Sequence, residues 1–264
     1  MARVCPLFSG SRGNSWFIGS QHSGILIDAG RSAKQLTEML SRCELSPSAI
    51  RGIFLTHEHT DHVKGLRVFA SRHQIPVFSS LGTLRQLEQT GDLDGNFPAE
   101  VLEPRGMACG DVFIRPFRTS HDCAEGIGFR VQTADDRTVV LATDLGVLSQ
   151  EVLAELAGCD VAILESNHDE GMLKNGRYPY VLKQRILSET GHLSNVHCAQ
   201  ALPGLVEQGA TRFVLAHLSE ENNTPDLAAQ TARCSLAMAG CQEGVDFQLY
   251  VAAPENPTGK PILF

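Results

Sequence analysis

Residues 56–62 read Thr-His-Glu-His-Thr-Asp-His and decide the fold of this chain. They follow a short apolar run, Ile-Phe-Leu, whose composition is typical of a buried strand. Because side chains two residues apart in an extended chain point to the same side, we expect His57 and His59 to bind one cation together. Asp61 and His62 fall on the turn into the next helix and face a neighbouring position. The spacing therefore predicts ligands for two metal ions, against the alternative of a solvated turn rich in histidine.

The composition is that of an ordinary globular protein. The chain has 264 residues, of which 42% are hydrophobic and 20% are charged. No apolar run approaches the roughly 20 residues that a membrane-spanning helix needs, and no signal-peptide core follows the N-terminus. We therefore expect a cytoplasmic protein with no membrane contact. Because no repeat or linker divides the sequence, we predict a single domain over residues 1–264.

The cysteines and the net charge limit the classes of function. The eight cysteines show no Cys-x-x-Cys spacing and are predicted to be reduced core residues. The net charge of −8 disfavours a bulk electrostatic affinity for nucleic acid. Two divalent cations would, however, add positive charge at the site where a nucleic acid would react.

The strand that ends before Asp28 carries a second candidate residue. This run, Gly24 to Ile27, is apolar and leads directly into the carboxylate. Asp28 either orients a metal-binding histidine through a hydrogen bond or caps a helix predicted from about Ser32 to Arg42. Both interpretations remain open from the sequence.

Further candidates follow other predicted strands. His121 comes after the run Val112 to Phe117, and Asp144 comes after Thr138 to Ala142. Together with Val101–Leu102 and Ile127–Val131, these runs predict an antiparallel meander.

His217 follows a strand from Phe213 to Ala216 in the second half. The second half is predicted to alternate strands with helices, and the helices span Gln150–Leu156, Tyr180–Glu189, Asn195–Val206 and Pro225–Met238. This pattern predicts two sheets packed face to face, with helices outside and a site along one common edge.

Taken together, the pattern His-x-His-x-Asp-His followed by a distant His, Asp and His resembles the metallo-β-lactamase fold superfamily over nearly the whole chain. The resemblance implies an α/β protein with a four-layer αββα sandwich. It also implies that His57, His59 and His121 bind one metal, that Asp61, His62 and His217 bind the other, and that Asp144 bridges them. Imidazole and carboxylate ligands suit Zn²⁺, Mn²⁺ or Fe²⁺.

Further features of the sequence indicate which branch of the superfamily the chain resembles. The bridging Asp144 is absent from true dinuclear β-lactamases, His59 replaces the Glu of flavodiiron proteins, and the chain before His217 is too short for the inserted domain of the larger nucleases. The segments that follow are similar to the YycJ/WalJ-type proteins, which are small single-domain, exonuclease-like members. They are Ser-Gly-Ser-Arg-Gly-Asn-Ser (9–15), Leu-Ile-Asp-Ala-Gly (26–30), Thr-Asp-Leu-Gly (143–146), Glu-Ser-Asn-His-Asp (165–169), Gly-His-Leu-Ser-Asn (191–195) and Ala-His-Leu-Ser-Glu-Glu-Asn-Asn (216–223).

The resemblance also implies catalytic roles. Glu165 orients His192, and His192 protonates the leaving oxygen, as in related tRNA-processing phosphodiesterases. Asp61 helps to orient the nucleophile, a hydroxide that bridges the metals. Ser194, Asn195 and the helix that starts there are predicted to bind phosphate. Helix capping remains the alternative for His192 and Ser194.

His168 is the last candidate of this group, and we predict that it lines the cleft. The sequence around it, Ser-Asn-His-Asp, is also compatible with an ordinary turn, so a purely structural role remains the alternative.

The leading hypothesis is a dinuclear metal-dependent phosphodiesterase, specifically a DNA 5′-to-3′ exonuclease, with DNA favoured over RNA. One alternative keeps the metals and changes the substrate to a small cyclic phosphodiester or a glyoxalase-like thioester. Another is a non-catalytic regulatory module in which the metals are structural. The sequence names no protein partner.

Overall fold

The computed structural model describes residues 2–264, which form two sheets of seven strands each. The first sheet contains Arg3–Phe8 (β1), Ser15–Gly19 (β2), Gly24–Ile27 (β3), Ile50–Phe54 (β4), Val77–Ser79 (β5), Ala99–Val101 (β6) and, near the C-terminus, Ile262–Leu263 (β14). The second contains Met107–Cys109 (β7), Val112–Arg118 (β8), Ile127–Thr133 (β9), Thr138–Ala142 (β10), Val161–Glu165 (β11), Arg212–Ala216 (β12) and Gln248–Val251 (β13).

Each sheet combines an antiparallel part and a parallel part. The strand order is β14-β1-β2-β3-β4-β5-β6 in the first sheet and β13-β12-β11-β10-β9-β8-β7 in the second. Strands β3 to β6 are parallel to one another, as are β10 to β13. Because β8 and β10 both run antiparallel to β9, the carboxyl ends of β8, β10, β11 and β12 lie at the same edge. Polar residues that follow these strands are therefore brought together.

Nine α-helices are present within the described residues, and most begin at a capping hydroxyl. They are Ala33–Arg42 (α1), Thr60–Val63 (α2), Leu66–His73 (α3), Leu81–Thr90 (α4), Gln150–Leu156 (α5), Glu170–Asn175 (α6), Tyr180–Ile186 (α7), Asn195–Glu207 (α8) and Pro225–Met238 (α9). The side chains of Ser32, Ser80, Ser149, Ser194 and Thr224 accept a hydrogen bond from a backbone N–H of the first turn. Such caps satisfy donors that a helix leaves unpaired.

Three apolar clusters divide the protein into four layers. The central cluster joins the facing sides of both sheets, and Phe54 of the first sheet contacts Phe129 of the second edge to face, with ring centroids 6.1 Å apart. A second cluster packs α1 and α3 on the outside of the first sheet. A third packs α5, α8 and α9 on the outside of the second. The αββα sandwich expected from the sequence is confirmed. The shared central core supports the single-domain interpretation, which stays a prediction.

The local differences from the sequence-based expectations have physical causes. The segment around Val101 was expected in the antiparallel meander, but it pairs in parallel with β5 in the first sheet. The helix expected after His62 is interrupted at Gly65, whose N–H donates to Ala29 O at 2.9 Å. An added Cβ at Gly65 would lie 2.0 Å from Arg31 O, so only glycine permits this contact. The sequence analysis missed the short elements α6, β7 and β14, because they carry too few apolar residues to show a period.

No helix within residues 2–264 combines the length and the apolar character that crossing a bilayer requires.

Candidate metal centre

Two sets of metal-binding side chains meet at the common edge of the sheets. His57 and His59 follow β4, and the loop after β8 supplies His121; potential ligand atoms of these three residues lie within 4.8 Å of one another. Asp61 and His62, on α2, form a second such set with His217, which follows β12. The arrangement matches the two ligand sets that the family resemblance implies.

Asp144 lies between the two sets. It follows β10, and its Oδ2 is 3.4 Å from His62 Nε2 while its Oδ1 is 3.9 Å from His121 Nε2. His62 belongs to one set and His121 to the other, so a single carboxylate reaches both. This is the position that a bridging ligand would occupy.

Hydrogen bonds at Nδ1 orient four of the imidazoles. Nδ1 of His62 lies 2.8 Å from Asp28 Oδ2, and Nδ1 of His217 lies 2.9 Å from Glu165 Oε1. Nδ1 of His121 donates to Gly191 O at 3.1 Å. The Thr56 hydroxyl, which donates to Asp28, accepts from Nδ1 of His57 at 3.0 Å. A proton on Nδ1 leaves Nε2 as the nitrogen that can bind a metal.

Buried polar atoms without partners show that the site fits divalent cations. Among the described residues, His57 Nε2, His217 Nε2 and Asp144 Oδ2 are fully buried and form no hydrogen bond. Leaving such atoms unpaired is unfavourable unless a ligand satisfies them. Burial, followed by the neighbouring imidazoles, lowers the pKa of His57 well below its usual value. Burial also lowers the pKa of His121. Both rings are therefore neutral, which is the form that binds metal.

Strained backbone positions place three of these side chains. Asp28, Asp144 and His217 have φ angles of 60°, 56° and 53°, in the left-handed region that residues other than glycine seldom adopt. Each of the three follows the end of a strand in the cluster. Strain of this kind is typical of functional sites.

Asp28 contacts the metal centre and does not cap α1. Its Oδ1 accepts from the Thr56 N–H at 2.8 Å, in addition to its bond with His62. The N-cap of α1 is Ser32, so the helix-capping alternative is wrong.

The sequence analysis missed Asn14, which ties the N-terminal loop to the ligands. Its Nδ2 lies 3.0 Å from His62 Nε2 and 3.3 Å from Asp61 Oδ2, and its N–H donates to Asp61 O at 2.8 Å. Gly30 permits this approach, because a Cβ there would lie 1.7 Å from Asp61 O. The 9–15 segment was recognised as a loop, but the sequence offered no signal that this amide faces the centre.

The buried Glu165 and the partly exposed His192 form a pair beside the ligands. His192 Nδ1 lies 2.8 Å from Glu165 Oε1, while Glu165 Oε2 accepts from the N–H groups of Leu145 and Leu193. Burial alone would raise the pKa of Glu165, but the charge and hydrogen bonds of His192 and His217 lower it below its usual value. Burial acts to lower the pKa of His192, and the charge of Glu165 overcomes it and raises this pKa. Both shifts favour a carboxylate paired with a protonated imidazole.

The three residues predicted to bind substrate, Ser194, His168 and Asn195, do not all line the same cavity. Ser194 caps α8 by accepting from the His197 N–H at 3.2 Å, and it also lines a cavity next to His192. His168 lines the same cavity. Asn195, by contrast, is 2% exposed and its side chain is bound to Ser166 and Asn223. These bonds occupy its amide, so Asn195 holds two loops together and its side chain is not free to bind phosphate, which the sequence analysis had predicted.

A basic cleft borders the centre at Asp61. This cleft is lined by Ser11, Arg12, Arg31, Thr60, Asp61 and Lys64 and has a volume of about 340 Å³. Arg12 pairs with Glu220 at 2.6 Å. Arg31 and Lys64 form no ion pair with the described residues, and the Arg31 guanidinium lies 5.4 Å from the centre of the Phe8 ring. The cleft therefore concentrates positive charge locally in a chain whose net charge is −8.

Comparison with known families supports this geometry. Residues 24–218 match the family model described as the β-lactamase superfamily domain. The exodeoxyribonuclease YycJ of Bacillus anthracis is 34% identical over 256 residues, which cover 96% of both chains. The exodeoxyribonuclease WalJ of Streptococcus pneumoniae is 34% identical over 255 residues, which cover 96% of this chain and 94% of WalJ.

Solved structures show the same fold at low sequence identity. The metallo-β-lactamase fold protein YhfI of Bacillus subtilis superposes with a TM-score of 0.71 at 17% identity, covering 97% of this chain and 98% of YhfI. Zn²⁺-bound PqqB of Methylobacterium extorquens gives a TM-score of 0.72 at 14% identity, covering 99% of this chain and all of PqqB.

Proposed function

This chain belongs to the metallo-β-lactamase superfamily of hydrolases, and we propose that it is a metal-dependent DNA exonuclease that digests from the 5′ end. The observation that carries the proposal is the Glu165–His192 pair next to the two ligand sets. A carboxylate that holds a protonated imidazole is suited to donate a proton to a leaving alkoxide. The names of the YycJ and WalJ relatives support DNA as the substrate.

We assign the two metal ions to the ligand sets described above. His57, His59 and His121 would hold one, Asp61, His62 and His217 the other, and Asp144 would contact both. Two divalent cations held there would activate a water molecule and neutralise negative charge on the phosphoryl group. The imidazole and carboxylate donors suit Zn²⁺, Mn²⁺ or Fe²⁺.

The chain's own residues complete the reaction. The Asp61 side chain is 27% exposed, so it reaches the solvent side of the centre and can accept a hydrogen bond from the attacking water. His192 Nδ1 is bound to Glu165, which leaves Nε2 to donate its proton to the departing oxygen. Burial of Glu165 strengthens its interaction with His192, because the local dielectric constant is low.

The basic cleft supports a polyanionic substrate. Arg31 and Lys64 stand within the lining that reaches Asp61, where a backbone phosphate next to the scissile one would lie. The overall negative charge does not oppose this, because interactions are screened beyond about 10 Å at moderate salt. Since DNA and reduced thiols share the cytoplasm, we place the activity there.

Digestion of end-labelled DNA tests the proposal. A 5′-phosphorylated duplex, labelled at either end, is incubated with the protein and Mn²⁺ or Zn²⁺, and His57→Ala serves as the inactive control. Stepwise loss from the 5′ end that is absent in the control is the expected result. Stepwise loss of nucleotides from the 3′ end would contradict the proposed 5′-to-3′ polarity.

Absence of DNA digestion would contradict the nuclease proposal. In that case, metal-dependent cleavage of a small cyclic phosphodiester or a thioester would identify the small-substrate alternative instead.

A further inference from the structure

A cavity of about 390 Å³ is lined in part by His192, and its lining differs from that of the basic cleft. Its apolar wall includes Val147, Leu187 and Leu193, and its polar groups include His168 and Gln200. No lysine or arginine lines it. The size is within the range of small-molecule sites, which are mostly apolar with a few directed polar groups.

His168 is the unusual residue of this cavity. It is 1% exposed, and neither of its ring nitrogens has a hydrogen-bond partner within the described residues. Its backbone is fixed, because its carbonyl accepts from the Asn195 N–H at 2.9 Å. Burial lowers the pKa of His168 to about 4, so the ring is neutral near pH 7. A neutral imidazole offers one donor and one acceptor, and here both are unpaired beside an open cavity.

The charges around the cavity favour a neutral occupant over a phosphate. Two carboxylates, Glu170 and Glu189, are part of the lining. Glu170 is paired with Lys174 at 2.7 Å, but Glu189 has no cationic partner among the described residues. An anion would meet this carboxylate, and the protonated ring of His192 in the lining is already paired with Glu165. A neutral group with apolar faces and polar edges fits the lining better, and a nucleobase has that chemistry.

We propose that this cavity holds the base of the nucleotide that leaves, and that His168 hydrogen-bonds to the edge of that base. The inference rests on the proposed nuclease function and names the subsite for the released product. It follows from the position of His192, which lines the cavity and is the proposed proton donor to the leaving oxygen.

The chemistry then fixes which nucleotide is released. Water supplies a hydroxyl group to phosphorus, the P–O3′ bond breaks, and its electron pair takes the proton from His192 Nε2. The proton left by the water restores His192. In digestion from the 5′ end, the departing O3′ belongs to the terminal nucleotide. That nucleotide occupies the cavity, and the retained strand leaves with a new 5′-phosphate toward the basic cleft.

Binding of thymidine 5′-monophosphate, measured by calorimetry, tests the inference without relying on turnover. The metal-loaded protein is compared for thymidine 5′-monophosphate and for 2-deoxyribose 5-phosphate, which lacks the base. We expect the nucleotide to bind at least about tenfold more tightly, since a base contact contributes that much. Equal affinities would overturn the inference.

Two variants locate the base. Val147 is 39% exposed, so Val147→Trp fills the cavity from its rim without disturbing the core. His168→Phe keeps an aromatic ring and removes both nitrogens. Both should weaken nucleotide binding about tenfold, while Val245→Trp, at a position that is 77% exposed and outside the cavity, should leave it unchanged.

The experiments distinguish a failure of the cavity assignment from a failure of the nuclease proposal. If wild-type protein digests DNA but Val147→Trp binds the nucleotide as wild type does, the cavity assignment is wrong and the nuclease proposal stands. If wild-type protein digests no DNA, the nuclease proposal fails and this inference fails with it.

Discussion

Glu165 Oε1 lies 2.8 Å from Nδ1 of His192, and the same oxygen lies 2.9 Å from Nδ1 of His217. One carboxylate oxygen thus orients both the proposed general acid and a proposed metal ligand. Because Oε2 is held by two backbone N–H groups, the carboxylate cannot rotate to serve only one imidazole. The proposed metal ligand and the proposed proton donor are therefore connected through one fully buried side chain.

Replacing His192 should separate chemistry from metal binding. We expect His192→Ala to keep both metals and to lose about 10²- to 10⁴-fold in DNA turnover. Cleavage of bis(4-nitrophenyl) phosphate should fall much less, because nitrophenolate leaves without protonation. Kinetics on both substrates and analysis of the metal content test this expectation. The control is His22→Ala, which replaces an exposed histidine. Equal losses on both substrates would show that His192 is not the acid.

Glu165→Gln should weaken metal binding as well as turnover. The amide has one acceptor oxygen, so either the imidazoles or the two backbone N–H groups lose their partner. We expect a 10- to 100-fold loss of metal affinity, about the usual effect of removing a group that orients a ligand, and destabilisation by about 1–3 kcal/mol. Chelator competition and thermal unfolding measure these effects. Glu207→Gln, on the surface of α8, is the matched control. Wild-type metal affinity in Glu165→Gln would contradict the link to His217.

Single substitutions should remove the metals one at a time. His59 and Asp61 are both partly exposed, so their replacement by alanine should leave the core intact. We expect each variant to retain about one metal per chain after dialysis, compared with two in the wild type. Elemental analysis gives the stoichiometry. Full occupancy in either variant would exclude that residue as a required ligand.

Lys64→Ala should reduce the salt dependence of DNA binding. If Lys64 contacts a backbone phosphate, the slope of log K against log salt should become shallower by about one. Fluorescence anisotropy with the inactive His192→Ala background measures the slope. Lys260→Ala removes the same charge from an exposed position outside the cleft, and it should not change the slope. The same slope in both variants would place the DNA elsewhere.

The cysteines should differ strongly in reactivity. All eight are free thiols, and Cys234 is the exposed one. Burial raises the pKa of Cys5, Cys159 and Cys198 to about 12 and that of Cys43 and Cys109 to about 11. Little thiolate is then available at pH 8. Titration with Ellman's reagent should show rapid reaction of Cys234 and slow reaction of these five until the protein unfolds. Rapid reaction of all eight in the native state would contradict the observed burial.

The sequence predicted the elements with strong periodicity or clear boundaries. The helix Gln150–Leu156 was predicted with its observed bounds, and the last helix was predicted from Pro225 to about Met238. A capping serine or threonine precedes each of them. The two-sheet architecture was also predicted. The parallel pairing of β6, which contains Val101, was not predicted, because a two-residue apolar run does not reveal which sheet it joins.

Local sequence by itself indicated the candidate ligands, because ligand types and their spacing after strands are properties of a short segment. The Glu165–His192 pair and the division of the ligands between two metals were predicted from the family resemblance of the sequence. Only the tertiary structure decided how distant loops meet. It brought Asn14 against His62, placed the Asn195 side chain in a buried hydrogen-bond network, and left both nitrogens of His168 unpaired beside a cavity. These relationships depend on contacts between segments far apart in the chain, and the packing of the two sheets alone fixes them.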